Sequence, residues 1–205
     1  MVLSAARHVR RRFRRLRTSG PSPPLLSDGV IELRLIDNRD LEIIRRAARD
    51  FEIRRRFGLV ARPEEYFERY RQLSRYGEGA AFAICDVDRE SVGLATFERR
   101  DAGRAELGYW LLPEGRGRGR ATRALRLVSR WALNQPGVAR LELATSPDNV
   151  PSQRVAERSG FRREGILRSY HMVNGRREDA VFFSLLPGEL DKDRARASES
   201  SALDD

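Results

Sequence analysis

The sequence predicts a mixed α/β (α+β) domain built on a twisted, mostly antiparallel sheet flanked by about four helices. Short apolar or alternating runs recur between residues 30 and 186, separated by turn residues. Between them lie stretches whose apolar residues return every three or four positions, the spacing of a buried helix face. The last two runs flank Asn174-Gly175, the dipeptide that best closes a two-residue hairpin. The expected order is β α α β β β α β α β β, with no internal repeat.

The first strand is Val30–Ile36, with Ile31, Leu33 and Leu35 on one face. Asp37 or Asp40 then caps a helix whose expected buried stripe is Leu41, Ile44, Ala48 and Phe51. Pro63-Glu64-Glu65 starts the next helix, because proline suits the first turn and two acids oppose the helix dipole. Its apolar face is Tyr66, Phe67, Tyr70 and Leu73, which helical spacing assigns to the core. Ala80–Val87 and Ser91–Glu98 pair around Asp88-Arg89, and Asp101-Ala102-Gly103 turns into a third strand, Ala105–Leu112, ended by Pro113. A glycine- and arginine-rich loop, Glu114–Gly119, opens a helix running to about Asn134 and closed by Pro136-Gly137. Arg140–Thr145 is a short strand, Asp148–Ser159 a helix stopped by Gly160, and Arg163–Val173 with Glu178–Leu186 the final hairpin.

The chain has 205 residues and a formal charge of +10, a balance that invites a nucleic-acid reading. Seven arginines and no acid fall in residues 1–18, however, which leaves only +3 for the remainder. The body is therefore not unusually basic. Lys192 is the only lysine, so arginine enrichment looks compositional and weakens inferences from any single arginine. One cysteine, Cys85, excludes an internal disulfide and reads as core; with no Cys/His cluster, no metal is expected. No apolar run is long enough to span a bilayer, and the basic N-terminus lacks a signal peptide's apolar stretch. A cytoplasmic, reducing location is expected. The organisation expected is a basic extension and Pro/Ser linker over 1–27, one folded domain over 28–190, and a disordered tail over 191–205. The arginine-rich segment 7–17 suits an RNA or ribosome anchor or an anionic-surface helix, and equally an upstream start-codon artefact.

The informative segment runs from Glu106 to Ala121. A P-loop needs Lys-Ser/Thr after its last glycine, but Gly119 is followed by Arg120-Ala121. A dinucleotide fingerprint needs G-x-G-x-x-G and an acid at the end of a second parallel strand; here the spacing is G-x-G-x-G without such an acid. An arginine/glycine RNA-binding box lacks flanking structure, whereas this run lies between a strand and a helix. The remaining arrangement is strand, tight loop and helix N-terminus, which turns unpaired amides and a positive dipole end toward an anion. Glycines 115, 117 and 119 admit the anion to the backbone, and Arg116, Arg118 and Arg120 add charge. A pyrophosphate fits; the alternative is a surface loop that is arginine-rich through composition alone.

Arg116-Gly117-Arg118-Gly119-Arg120-Ala121 resembles the R/Q-x-x-G-x-G/A signature of the GNAT superfamily of acetyl-CoA-dependent N-acetyltransferases. A second block, Asn149-x-x-Ser152-x-x-Val155-Ala156-x-x-x-Gly160-Phe161-x-x-Glu164-Gly165, is similar to a run in the Rim-type ribosomal-protein N-terminal acetyltransferases. The resemblance spans roughly residues 28–187 and implies acetyl-CoA as cofactor, with splayed central strands holding its pantetheine arm. It implies that backbone groups of Trp110, Leu111 and Leu112 hold the arm and the thioester carbonyl. Arg116, Gly117, Arg118, Gly119, Arg120, Ala121 and Thr122 would take the pyrophosphate. Glu106 would remove a proton from the acceptor amine, though it equally fits an exposed strand-end acid. Ser152 would serve the thiolate, where other members place a tyrosine at the position of Ala156; its alternative is bonding within its own helix. Asn149 would touch the pantetheine amide or cap the helix. The acceptor implied is a protein N-terminal amine, with a small-molecule amine as alternative and a non-catalytic RNA- or ribosome-tethering module as a third reading. Of Tyr109 and Trp110, which alternate across their strand, one lines the acceptor pocket and the other joins the core. His171 reads as packed.

Overall fold

The computed structural model describes residues 25–57, 62–86, 90–173 and 175–190. Residues 1–24 of the expected basic extension and linker, the Asp88-Arg89 turn, Asn174 and the C-terminal tail lie outside the described residues. Eight strands of the described residues form one sheet: β1 Leu26–Ser27, β2 Ile31–Leu35, β3 Gly79–Asp86, β4 Ser91–Arg99, β5 Arg104–Leu111, β6 Arg140–Thr145, β7 Arg162–Val173 and β8 Arg176–Leu185. Their spatial order is β1-β2-β3-β4-β5-β6-β8-β7. Every neighbouring pair is antiparallel except β5 with β6, which is parallel. A parallel pair needs a crossover, and α4, Arg120–Leu133, supplies it.

The helices cover both faces. On one, α4 and α5 (Val150–Arg158) pack Leu125, Val128 and Ala156 against Phe82, Ile84, Leu107, Leu141 and Phe183. On the other, α1 (Leu41–Arg49), α2 (Phe51–Arg56) and α3 (Pro63–Arg75) set Ile44, Ala47, Ile53, Tyr66 and Phe67 against Ala81, Ala83, Cys85, Leu94 and Trp110. This double cover explains why β3 and β4 are buried nearly throughout and read as unbroken apolar runs rather than alternating ones. Cys85 is core, as expected.

Two expectations needed correction. The single helix predicted after Asp37 is two. α1 stops at Arg49, where Asp50 turns extended (ψ 121°) and accepts the Ile53 amide at 2.8 Å, capping α2. That break rotates the apolar phase: Ile43, Ile44 and Ala47 are buried, Ala48 only partly, and Phe51 is 63 % exposed. Among the described residues there are therefore five α-helices, where the expected order had four. β1, two residues long, carries too few positions to show alternation and lies within the expected linker; it pairs Leu26 with Leu33 and so joins the sheet.

Asp37 caps the turn preceding α1, accepting the Arg39 amide at 2.9 Å and the Arg39 guanidinium at 2.7 Å. The Arg39 bond holds its carboxyl at about 2, against an ordinary 3.8, despite an opposing contribution from burial. A depressed carboxylate pKa adds stability that is complete above the ordinary value and lost as pH falls through the folded one. Urea titrations should therefore show Asp37→Asn losing less stability than the parent between pH 3.8 and about 2. Partial exposure keeps the difference under about 1 kcal/mol.

Candidate active site

The site begins where the parallel pair stops. Arg104, Ala105 and Glu106 pair with Arg140, Leu141 and Glu142, and the ladder ends there although both strands continue. Beyond Glu106 the strands part, as the splayed-strand expectation required. Hydrogen-bond direction alternates along an antiparallel ladder, so the β4 side identifies which amides of β5 face the gap. Arg100 N–H donates to Arg104 O at 2.8 Å and Leu112 N–H to Val92 O at 2.9 Å. The even-numbered residues thus spend their main-chain groups on β4, and the odd-numbered Leu107, Tyr109 and Leu111 turn theirs toward the gap. Of the three residues expected to offer main-chain groups, Leu111 does through its N–H, its carbonyl being bonded by Arg116. Trp110 and Leu112 do not: their backbones serve β4 and their side chains are core, with Trp110 Nε1 donating to Tyr66 Oη at 3.3 Å.

After β5, Pro113–Gly115 makes one tight turn and the chain enters α4 through Gly117 (φ +83°) and Gly119 (φ +72°). Both φ values lie in the left-handed region that favours glycine, and a Cβ at either position would meet nothing within 4 Å. Gly115 differs from the expectation: a Cβ there would come within 3.0 Å of Val92, so it serves packing rather than anion approach. The first bond inside α4 runs from Arg123 N–H to Gly119 O at 3.1 Å, and no side chain caps the helix. The amides of Arg120, Ala121 and Thr122 are therefore without helical partners and carry the positive dipole end.

The three arginines separate. Arg118 is exposed and makes no ion pair among the described residues. Arg116 donates to Leu111 O at 3.1 Å and lies 3.5 Å from Asp50, tying the loop to β5 and to the start of α2. Arg120 corrects the charge assigned to it: its guanidinium is buried against Asp86 at the end of β3, so at the helix mouth it contributes an amide only. Ala121 packs partly into the core and Thr122 accepts from Ser159 Oγ through its carbonyl, at 3.3 Å.

The other wall of the gap is the start of α5. Asn149 caps it, its Oδ1 accepting the Ser152 amide at 3.3 Å. Ser152 Oγ turns away from its own backbone and lies 2.9 Å from Tyr109 Oη, bridging the two walls on the α4/α5 side. Ala156, a turn later, is fully buried.

On the opposite face, Glu98, Glu106 and Glu142 stand side by side on three adjacent strands. Glu98 is held by Arg69 at 2.7 Å, Tyr70 at 2.8 Å and Arg100 at 3.0 Å; Glu142 is held by Arg140 at 2.9 Å. Glu106 is paired with Arg100, whose Nε and Nη2 bond Oε2 at 3.0 and 2.6 Å, and its side chain is 39 % exposed. Burial lowers the His171 pKa, and the nearby charges of Glu106 and Glu178 pull it back up, so this half-buried imidazole belongs to the same neighbourhood. Sequence reading missed this row of carboxylates and the Tyr109–Ser152 bond, because both depend on strand register and leave no local pattern. A separate open hollow of about 840 Å³ on α3, lined by Glu64, Glu65, Glu68 and Arg69 among others, meets this row only through Arg69.

The end of the parallel pair thus brings together a strand gap with open main-chain groups, an uncapped helix mouth beside it, and carboxylate and hydroxyl groups on its two faces. Residues 31–162 match the family model described as the acetyltransferase (GNAT) domain, and the chain belongs to that family. It is 34% identical over 129 residues to the "Probable N-acetyltransferase YjcK" of Bacillus subtilis, covering 63% of this chain and 71% of that one. It is 29% identical over 114 residues to the ribosomal-protein-serine acetyltransferase of Escherichia coli, covering 55% and 63%. The fold matches that of spermidine N-acetyltransferase from Vibrio cholerae, solved with CoA and spermine, at a TM-score of 0.68 and 20% identity, over 78% of this chain and 97% of that one. The protein is an acetyl-CoA-dependent N-acetyltransferase. Among the described residues no helix is long and apolar enough to cross a membrane, and no group of three His, Cys, Asp or Glu could hold a metal ion.

Proposed function

We propose that the enzyme acetylates the N-terminal amine of a protein, with Glu106 as base and Ser152 as proton donor. The observation that carries this is the position of Ser152: the first turn of α5 sets its hydroxyl at the gap, in the block that resembles the Rim-type enzymes. Similarity to the Escherichia coli ribosomal-protein-serine acetyltransferase supports the same acceptor class.

Acetyl-CoA supplies the acetyl group as a thioester. The open amides of Arg120, Ala121 and Thr122, with those of Gly117 and Gly119 and the charge of Arg118, suit its pyrophosphate, and the empty space in front of both glycines admits it. Main-chain groups of Tyr109 and Leu111 suit the pantetheine arm and the oxygen that gains charge during transfer. Asn149, its Oδ1 committed to the cap, retains its amide NH2 as a donor toward the arm. Glu106 takes the proton that the amine must lose, directly or through water; Ser152 passes its proton to the departing sulfur and takes one back from water, so that its hydroxyl stays neutral.

A small polycationic amine is the second reading. The carboxylates of Glu98, Glu106 and Glu142 favour it, as does the spermidine enzyme among the structural neighbours. One experiment separates them. Purified enzyme and acetyl-CoA are offered peptides beginning with serine or alanine, the same peptides with blocked N-termini, and spermidine, and products are weighed by mass spectrometry. Acetylation of free N-termini alone is expected; acetylation of spermidine alone overturns the proposal in favour of the second reading. The arginines of residues 7–17 suit an anionic surface such as ribosomal RNA. Removing residues 1–24 should leave acetyl-CoA affinity unchanged by titration calorimetry; loss of binding would make the extension part of the cofactor site.

A further inference from the structure

We infer that Tyr109 is a positioning residue: its phenol donates to Ser152 Oγ across the cleft and turns the serine's own proton toward the sulfur leaving from coenzyme A. This rests on the reading of Ser152 as proton donor. Two hydroxyls 2.9 Å apart share one proton between them, and either atom can be the donor by geometry alone. Acidity decides the direction, because a phenol is a far stronger acid than an alkyl hydroxyl and takes the donor role. Burial pushes Tyr109 up to about 12, with the Ser152 bond acting against it, so the phenol keeps its proton across the neutral range.

With one Ser152 lone pair occupied by Tyr109, the serine proton must leave the pair in another direction. Donation into an oxygen also polarises its O–H and strengthens what that O–H donates in turn. Ser152 is fixed from a second side by Asn149, which holds its amide at 3.3 Å. Tyr109 is suited to this task by strand parity. Its main-chain groups face the gap, and its ring packs with the α4/α5 core while Trp110 occupies the other face. The expectation that one of these two residues lines an acceptor pocket thus yields, for Tyr109, to a place beside the thiol.

The test compares the full chain with Tyr109→Phe, Ser152→Ala and the double variant. The first readout needs no acceptor: calorimetric affinity for CoA against desulfo-CoA, from about pH 6 to about pH 10, which reaches into the ionisation of an alkyl thiol. A donor aimed at sulfur makes the parent prefer CoA roughly three- to tenfold once the thiol ionises, the size of one hydrogen bond. Tyr109→Phe should lose most of that preference, with desulfo-CoA affinity and melting temperature unchanged. The second readout is turnover of a serine-initiated peptide. Tyr109→Phe should lower kcat roughly tenfold without moving KM for acetyl-CoA, and the double variant should be no slower than Ser152→Ala. Incorporation of 3-fluorotyrosine at position 109, a stronger acid of nearly the same shape, should retain the preference.

Additive losses in the double variant, or an intact thiol preference in Tyr109→Phe beside a lost one in Ser152→Ala, would overturn the inference alone. Full preference and full turnover in Ser152→Ala would remove the proton-donor reading beneath it.

Discussion

Glu106→Gln should lower kcat by about a hundredfold or more, the scale of a lost general base, while acetyl-CoA affinity stays within about twofold of the parent. The split follows from position. Glu106 is the last β5 residue paired with β6, on the face shared with α1–α3, whereas the cofactor groups lie further along β5 and at the α4 mouth. The amide keeps the size of the carboxylate and can still accept from Arg100, and Arg100 keeps its 3.0 Å pair with Glu98, so the local network survives. Steady-state kinetics with a peptide acceptor, together with calorimetry, checks both halves. Unchanged turnover at every pH would reduce Glu106 to a partner of Arg100.

Gly119→Glu should weaken acetyl-CoA binding by about a hundredfold or more. A non-glycine residue in the left-handed region costs about 1–2 kcal/mol. The new side chain meets no protein atom within 4 Å of its Cβ and extends into the space before the helix amides. A carboxylate about 5 Å from a phosphate charge adds about 3 kcal/mol of repulsion at an effective dielectric near 20. Gly119→Ala carries the backbone cost without the charge; because the free protein already holds φ at +72°, that cost falls mainly on stability and binding should weaken by no more than about tenfold. Gly115→Ala, crowded by Val92 at 3.0 Å, should lower melting temperature rather than affinity. Equal binding by Gly119→Glu and the parent would take the diphosphate away from this helix mouth.

Much of the fold was legible because local chemistry and tertiary position agree. Arg140–Thr145 came out residue for residue, and Pro63 starts α3 with Tyr66, Phe67 and Tyr70 inward. The first helix failed because Asp50 is both a stop and a new cap, which periodicity cannot register. At the site, the glycine loop and the Asn149/Ser152 turn were visible as contiguous motifs. Arg120 reads as an anion ligand because it continues the Gly/Arg run of Arg116 and Arg118, yet Asp86, distant in sequence, takes its charge. The offset between Trp110 and Leu111 as main-chain donors depends on which β5 amides β4 consumes, a matter of register. The same holds for Tyr109 beside Ser152 and for the carboxylate row, which arise only when strands far apart in the chain lie side by side.

The most direct test of the central claim is a crystal structure of the full chain with CoA. The pantetheine arm should lie between β5 and β6 beyond Glu106, bonded to main-chain groups of Tyr109 and Leu111, with its diphosphate on the amides from Gly117 to Thr122. CoA on any other surface, or β5 and β6 paired along their whole length with CoA bound, would contradict it.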